Sequence, residues 1–136
     1  IMIFQKELIL MPKSRGFHII SDDVYKILPK LSGVVNVFIK HTSASLTINE
    51  NADPSVRYDF ETHFNKMVSE DEKYFTHTLE GTDDMTSHIK SSILGSSVTF
   101  PIMNGIPQLG IWQGIYLCEH RNNASSRKIF ITLIGE

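Results

Sequence analysis

Apolar residues recur along this chain with two periods, and the switches between them mark out its elements. Phe4 to Leu10 alternates closely enough for a strand. Pro12-Lys13-Ser14-Arg15-Gly16 interrupts it as a turn, and Phe17 to Ile20 reads as a short second strand. Ser21 suits an N-cap, and Asp22 and Asp23 favour the positive end of a helix dipole. Val24, Ile27, Leu28 and Leu31 follow at helical spacing, with Pro29 shortening that helix. Val34 to His41 is the clearest strand, carrying Val35, Val37, Ile39 and His41 on one face. The Thr42–Asn51 stretch is polar and small, with Leu46 and Ile48 inserted, and is read as a connection.

Asp53 caps a second helix with Pro54 at its first position. That helix runs to about Val68, with Val56, Phe60, Phe64 and Met67 on one stripe. A charged connection from Ser69 to Thr82 leads to a third helix, near Asp83 to Leu94, ended by Gly95. Strands follow over Ser97–Met103, Leu109–Arg121 and Lys128–Ile134, and the last two read as a long hairpin across Asn122–Arg127. Strands at both ends with helices between them predict an α+β fold.

Composition narrows the class. The 136 residues fit one domain, 1–136, with no repeat or linker dividing it. A core of this size needs neither disulfides nor a structural metal, so a bound metal would serve function rather than folding. The net charge of −2 argues against nucleic acid and against anionic membrane surfaces. No apolar run reaches ~18 residues, so no transmembrane helix is expected. One cysteine, Cys118, excludes an intrachain disulfide and suits a reducing cytoplasm. The opening Ile1-Met2-Ile3-Phe4-Gln5-Lys6-Glu7 lacks the pattern of a signal peptide.

Six histidines direct attention to metal or acid–base chemistry. Asp84 and His88 are spaced to share one face of the third helix. His77 precedes that helix, with Glu80, Asp83 and Asp84 nearby. Two imidazoles with a carboxylate and an open position suit a catalytic divalent metal, while the bland alternative is a solvated acidic helix start. His41, at the end of a core-facing stripe, can be a third ligand, a general base, or simply a strand-end imidazole bonded to backbone, which local pattern favours. Trp112 and Tyr116 can wall a pocket for a flat heterocycle or pack as core. Glu119, His120 and Arg121 form a polar strand end at which Arg121 can meet a phosphate. Arg121 with Arg127 and Lys128 makes a local basic patch able to hold one.

Those segments carry a family resemblance. The runs are His41-Thr42-Ser43-Ala44-Ser45-Leu46-Thr47, Asn49-Glu50-Asn51-Ala52-Asp53-Pro54, Glu80-Gly81, Asp83-Asp84-Met85, His88-Ile89-Lys90, Gly110-Ile111-Trp112-Gln113-Gly114-Ile115-Tyr116-Leu117 and Glu119-His120-Arg121. In order and at these spacings, the chain resembles the YjbQ family over nearly its whole length. One departure is Ile111-Trp112-Gln113, where the family carries Thr-Trp-Gln.

The resemblance implies a compact, β-sandwich-like α+β fold of antiparallel or mixed sheets with about three helices, assembled as a homotrimer. It implies secondary thiamine-phosphate synthase activity, joining a pyrimidine diphosphate to a thiazole phosphate with release of pyrophosphate. It also implies a divalent metal on His41, His77 and His88. Zinc leads, and iron, manganese and nickel suit the same donors. Glu80 and Asp84 then orient the ligands or bind metal, Arg121 and Lys90 are candidate phosphate contacts, Trp112 stacks on the ring, and Glu50 is a candidate catalytic carboxylate. Two alternatives share the pocket: a non-catalytic trimeric module holding a metal or metabolite, and a metal-dependent hydrolase of phosphate esters.

Overall fold

The computed structural model describes residues 1–136. Eleven elements follow in order: β1 (Met2–Leu10), β2 (Gly16–Ile19), α1 (Ser21–Tyr25), β3 (Gly33–Ile39), β4 (Ala44–Glu50), α2 (Pro54–Met67), α3 (Thr82–Leu94), β5 (Ser97–Met103), β6 (Ile106–Pro107), β7 (Gln113–Glu119) and β8 (Arg127–Gly135). The strands form a five-stranded sheet in the order β1-β8-β3-β5-β6 and a three-stranded sheet in the order β2-β7-β4. Neighbouring strands are antiparallel throughout. The fold is α+β with two sheets and three helices, as the strand and helix pattern predicted.

The main core lies between the sheets. Val35, Val37 and Ile39 of β3, Phe100 and Ile102 of β5, and Ile129, Ile131 and Leu133 of β8 meet Ala44 and Leu46 of β4 and Ile115 and Leu117 of β7. The three-stranded sheet is also covered on its other face. There Phe17, Tyr116 and Cys118 pack with Phe60 and Phe64 of α2 and Leu94 of α3. β7 is therefore buried on both faces. Within it, burial pushes the Cys118 thiol up to about 12, leaving it un-ionised and inert at neutral pH.

Several local expectations hold. The Asp53 carboxylate accepts from Ser55 N at 2.9 Å, with Pro54 opening α2. Asn104 and Gly105 both have positive φ, 50° and 79°, which suits the tight β5–β6 hairpin. Where β3 and β8 begin and end, Gly33 approaches β8 so closely that a Cβ would fall 2.1 Å from Ile134 O, so no larger residue fits.

Three expectations are corrected. β7 and β8 do not form a hairpin: they lie in different sheets, and the Asn122–Arg127 connection crosses between them. The Thr42–Asn51 stretch is not a loop, because Ala44–Glu50 pairs with β7 along its full length. Ser21 does not cap α1. Ile20 holds that position, and the Ser21 hydroxyl instead accepts from Ile115 N at 2.9 Å, tying the helix to β7. No helix is long and apolar enough to cross a membrane.

Candidate metal centre

Helix α3 places Asp83 and Asp84 in its first turn and His88 one turn on, over the same face as Asp84. The β7–β8 connection sends Arg121 back to meet them. Its guanidinium donates from Nε to Asp83 Oδ2 at 2.9 Å, from Nη1 to Asp84 Oδ1, and from Nη2 to Glu80 O at 3.0 Å. Asp84, only 3% exposed, is thereby held by one oxygen with the other turned outward. That second oxygen, Oδ2, meets His77 Nε2 at 2.6 Å and His88 Nε2 at 3.1 Å. Burial would push the Asp84 carboxyl up. The bond from His77 and the charges of His88 and Arg121 outweigh it and hold the group below the usual carboxylate range.

The three donor atoms of His77, Asp84 and His88 lie within 4.8 Å of one another. His88 carries a further constraint. Its Nδ1 donates to Thr42 O at 3.0 Å, and a carbonyl can only accept. A neutral His88 therefore turns a lone pair on Nε2 toward a carboxylate oxygen. The geometry calls for a proton or a cation between them. A ligating histidine whose other nitrogen donates to a backbone carbonyl is the usual arrangement at metal sites.

The other expected site residues divide. His41 stands outside this group: its Nε2 accepts from Lys128 N at 2.8 Å, the backbone-bonded arrangement its local pattern favoured. Burial and the charge of Arg127 lower its pKa. It faces His88 across an open cleft of about 550 Å³ lined with Thr42, Ser91, Ser92, Gly95 and Ser96. Glu80 gives its backbone carbonyl to Arg121, and its side chain is absent from the donor group. Lys90 is buried, 1% exposed, and donates to Asn65 Oδ1 at 2.6 Å; burial pushes its pKa down.

Glu50 and Trp112 belong to the opposite end of the three-stranded sheet. Glu50 pairs with Gln113 and Ala44 with Glu119, so the seven-residue strand, about 20 Å at ~3.3 Å per residue, separates Glu50 from the Asp84 end. There the Glu50 carboxylate accepts from the backbone of Ala52 and Asp53, and Trp112 is 64% exposed.

The polar groups missed as structural elements lie beneath the site. Glu119 and Arg127 form a bidentate pair, Nε to Oε1 at 2.7 Å and Nη2 to Oε2 at 2.5 Å, closing one end of the core. His120 Nε2 lies 2.8 Å from Ser45 Oγ, with both residues fully buried. The alternation that groups His120 with Tyr116 and Cys118 was the available signal for it.

Burial pushes the His120 imidazole down to about 3, and the charges of Lys90, Arg15 and Arg127 act the same way. A histidine in an unfolded chain titrates near ~6.5. Between those values the unfolded chain binds a proton that the folded chain does not, so stability falls as pH drops through that window. Denaturation midpoints are expected to decline from pH ~6.5 toward 5, before most carboxylates titrate, with a slope near 5 of about 1.4 kcal/mol per pH unit from this residue. The variant His120→Asn flattens that decline. A wild-type curve level over this range contradicts the buried neutral imidazole.

Known proteins resemble this chain in sequence and in fold. A family model described as UPF0047 protein YjbQ-like matches residues 6–136. UPF0047 protein YjbQ of Escherichia coli O157:H7 is 49% identical over 139 residues, taking in 99% of this chain and 100% of that protein. UPF0047 protein sll1880 of Synechocystis sp. is 37% identical over 97% of this chain and 92% of its own. The crystal structure of an uncharacterized conserved protein of the yjbq/upf0047 family from Clostridium acetobutylicum superposes with a TM-score of 0.83 at 36% identity, covering 95% of this chain and 99% of that one. A YbjQ-like protein from Sulfolobus solfataricus P2 gives a TM-score of 0.87 over 99% of both chains at 22% identity, a likeness of fold. The chain belongs to the YjbQ-like UPF0047 family.

Proposed function

We propose that this protein is a small metal-dependent enzyme acting on phosphorylated heterocycles, with secondary thiamine-phosphate synthase activity of the kind its resemblance implies. The observation that carries the metal is the convergence of His77 Nε2 and His88 Nε2 on one oxygen of a buried, ionised Asp84. Two imidazoles and a carboxylate fit a divalent ion such as zinc, iron, manganese or nickel. When bound, such an ion supplies positive charge to a departing pyrophosphate. Arg121 fixes the Asp84 carboxylate, and Thr42 O fixes the ring of His88. His77, the most exposed of the three, leaves the group open on the solvent side.

Turnover tests the reading. Metal-loaded protein is expected to convert a hydroxymethylpyrimidine diphosphate and a thiazole phosphate to thiamine phosphate and pyrophosphate, to stop on chelation and to recover when zinc returns. Free phosphate released from either substrate alone would replace the transferase with a phosphate-ester hydrolase. No turnover by stoichiometric, metal-loaded protein would leave a binding module.

The reading includes a cytoplasmic homotrimer. The outer face of the five-stranded sheet carries no helix, and its cross-strand register lines up Ile3, Ile134, Val34 and Pro101 in one row and Phe130 beside Phe38 in another. Ile3, Ile134, Val34 and Phe38 are exposed on the single chain. These exposed apolar rows, on either side of a polar row of Gln5, Thr132, Asn36 and Thr99, support self-association. Sedimentation equilibrium is expected to give the mass of three chains, and Phe38→Asp to lower it; a wild-type mass of one chain contradicts the assembly.

A further inference from the structure

A second polar pocket opens on the far side of Arg121. It has a volume of about 270 Å³ and lies under the β7–β8 connection, with Ser43, Arg121, Asn123, Ala124, Ser125 and Arg127 among its lining residues. That is room for a phosphate and part of the group carrying it, below the ~300 Å³ at which drug-sized pockets begin.

Three features give it donors and no lining acid. Arg127 is 6% exposed, and its Nε and Nη2 are committed to Glu119 and Ser43 O. Its Nη1 has no acceptor in the chain, yet it is not among the atoms sealed from solvent without a partner. The backbone N–H groups of Asn123, Ala124, Ser125 and Ser126 likewise donate to nothing in the chain. Asn123 has a φ of 54°, and turns containing such a residue are where successive N–H groups form anion-binding concavities. Ser43 and Ser125 add hydroxyls.

Charge decides how strongly an anion is held. Two guanidinium groups, Arg121 and Arg127, face three carboxylates, Asp83, Asp84 and Glu119. The local balance is negative by one without a metal and positive by one with a divalent ion on the His77–Asp84–His88 group. Anion affinity and metal affinity must then favour each other reciprocally.

We infer that this pocket is a phosphate subsite, holding the phosphate of a substrate against the free edge of Arg127 and the amides of Asn123–Ser126, one guanidinium away from the metal group. Its strength, though not its position, rests on the metal reading.

The test uses inorganic phosphate and the ¹⁵N-labelled full chain, with and without one equivalent of zinc and no excess. Saturable shifts of the Asn123–Ser126 amides are expected, with tighter binding in the zinc form. Ala124→Asp, on an exposed connection, is expected to weaken binding about tenfold, as a like charge at contact does to a dianion, while metal content stays unchanged. Absence of saturable shifts in both forms, or shifts indifferent to Ala124→Asp, overturns the subsite. Metal analysis of the same samples separates the two readings. Bound zinc without phosphate shifts removes the subsite alone. Shifts sensitive to Ala124→Asp in protein that takes up no metal keep the subsite and remove the metal.

Discussion

Arg127→Ala is expected to lose about 3–5 kcal/mol of unfolding free energy in chemical denaturation, the largest stability effect of any single truncation at this end of the molecule. The reason is position rather than the strength of an ion pair as such. Ala44 and Leu46 of β4, Ile115 and Leu117 of β7, and Ile129 and Ile131 of β8 all point into the space between the sheets. Glu119 and Arg127 continue the inward sets of β7 and β8 to their ends. The pair seals the core there, with Glu119 fully buried. Truncating Arg127 strands a desolvated carboxylate that has no other charged partner. Two further variants separate this account from a simple loss of packing. Arg127→Lys keeps a charge but not the fork, and is expected to recover only part of the loss. The double replacement of Glu119 by Gln and Arg127 by Met removes both charges and is expected to lie closer to wild type than Arg127→Ala does. If Arg127→Ala costs less than about 1 kcal/mol, the pair is not the seal described.

Asp84→Asn is expected to abolish metal binding while leaving the fold in place. The substitution keeps the shape of the side chain but replaces the oxygen-rich, charged end on which His77 and His88 converge. Its effect on affinity, read by competition with a chromophoric chelator, should exceed the ~10–100-fold loss typical of an outer partner. Arg121→Gln supplies that comparison, since Arg121 reaches the metal group through Asp83 and Asp84 and is not itself one of its donors. It is expected to fall within the ~10–100-fold range. Equal losses from the two substitutions would mean that Asp84 is not itself a ligand.

Much of the scaffold of this site was legible in the sequence, and the exceptions share a cause. The Asp53–Pro54 start of α2, the β3 stripe and the span of α3 follow from short-range chemistry that the chain carries locally. So does the placing of Asp84 and His88 on one helix face. The neighbours of a strand do not. Asn122–Arg127 has the composition of a hairpin turn, and the alternation in β7 and β8 shows which residues are buried but not which strand lies alongside. β4 was hidden because both its faces are covered, so a buried Ser45 breaks the apolar alternation expected of a strand with one wet face. The burial of Lys90, Glu119 and Arg127 was not legible because such residues rarely go inside unless paired, and pairing is a tertiary fact. The separation of Glu50 and Trp112 from the histidines has the same origin, since adjacent motifs along β4 and β7 sit at opposite ends of those strands.

The central claim is that His77, Asp84 and His88 hold a divalent metal and that His41, backbone-bonded, does not. Elemental mass spectrometry of purified, reloaded protein tests it most directly. Wild type and His41→Ala are each expected to carry about one transition-metal ion per chain, and the double variant His77→Ala, His88→Ala to carry none while keeping the wild-type far-ultraviolet circular dichroism. Full metal content in that double variant, or an empty wild type after reloading, would contradict the account.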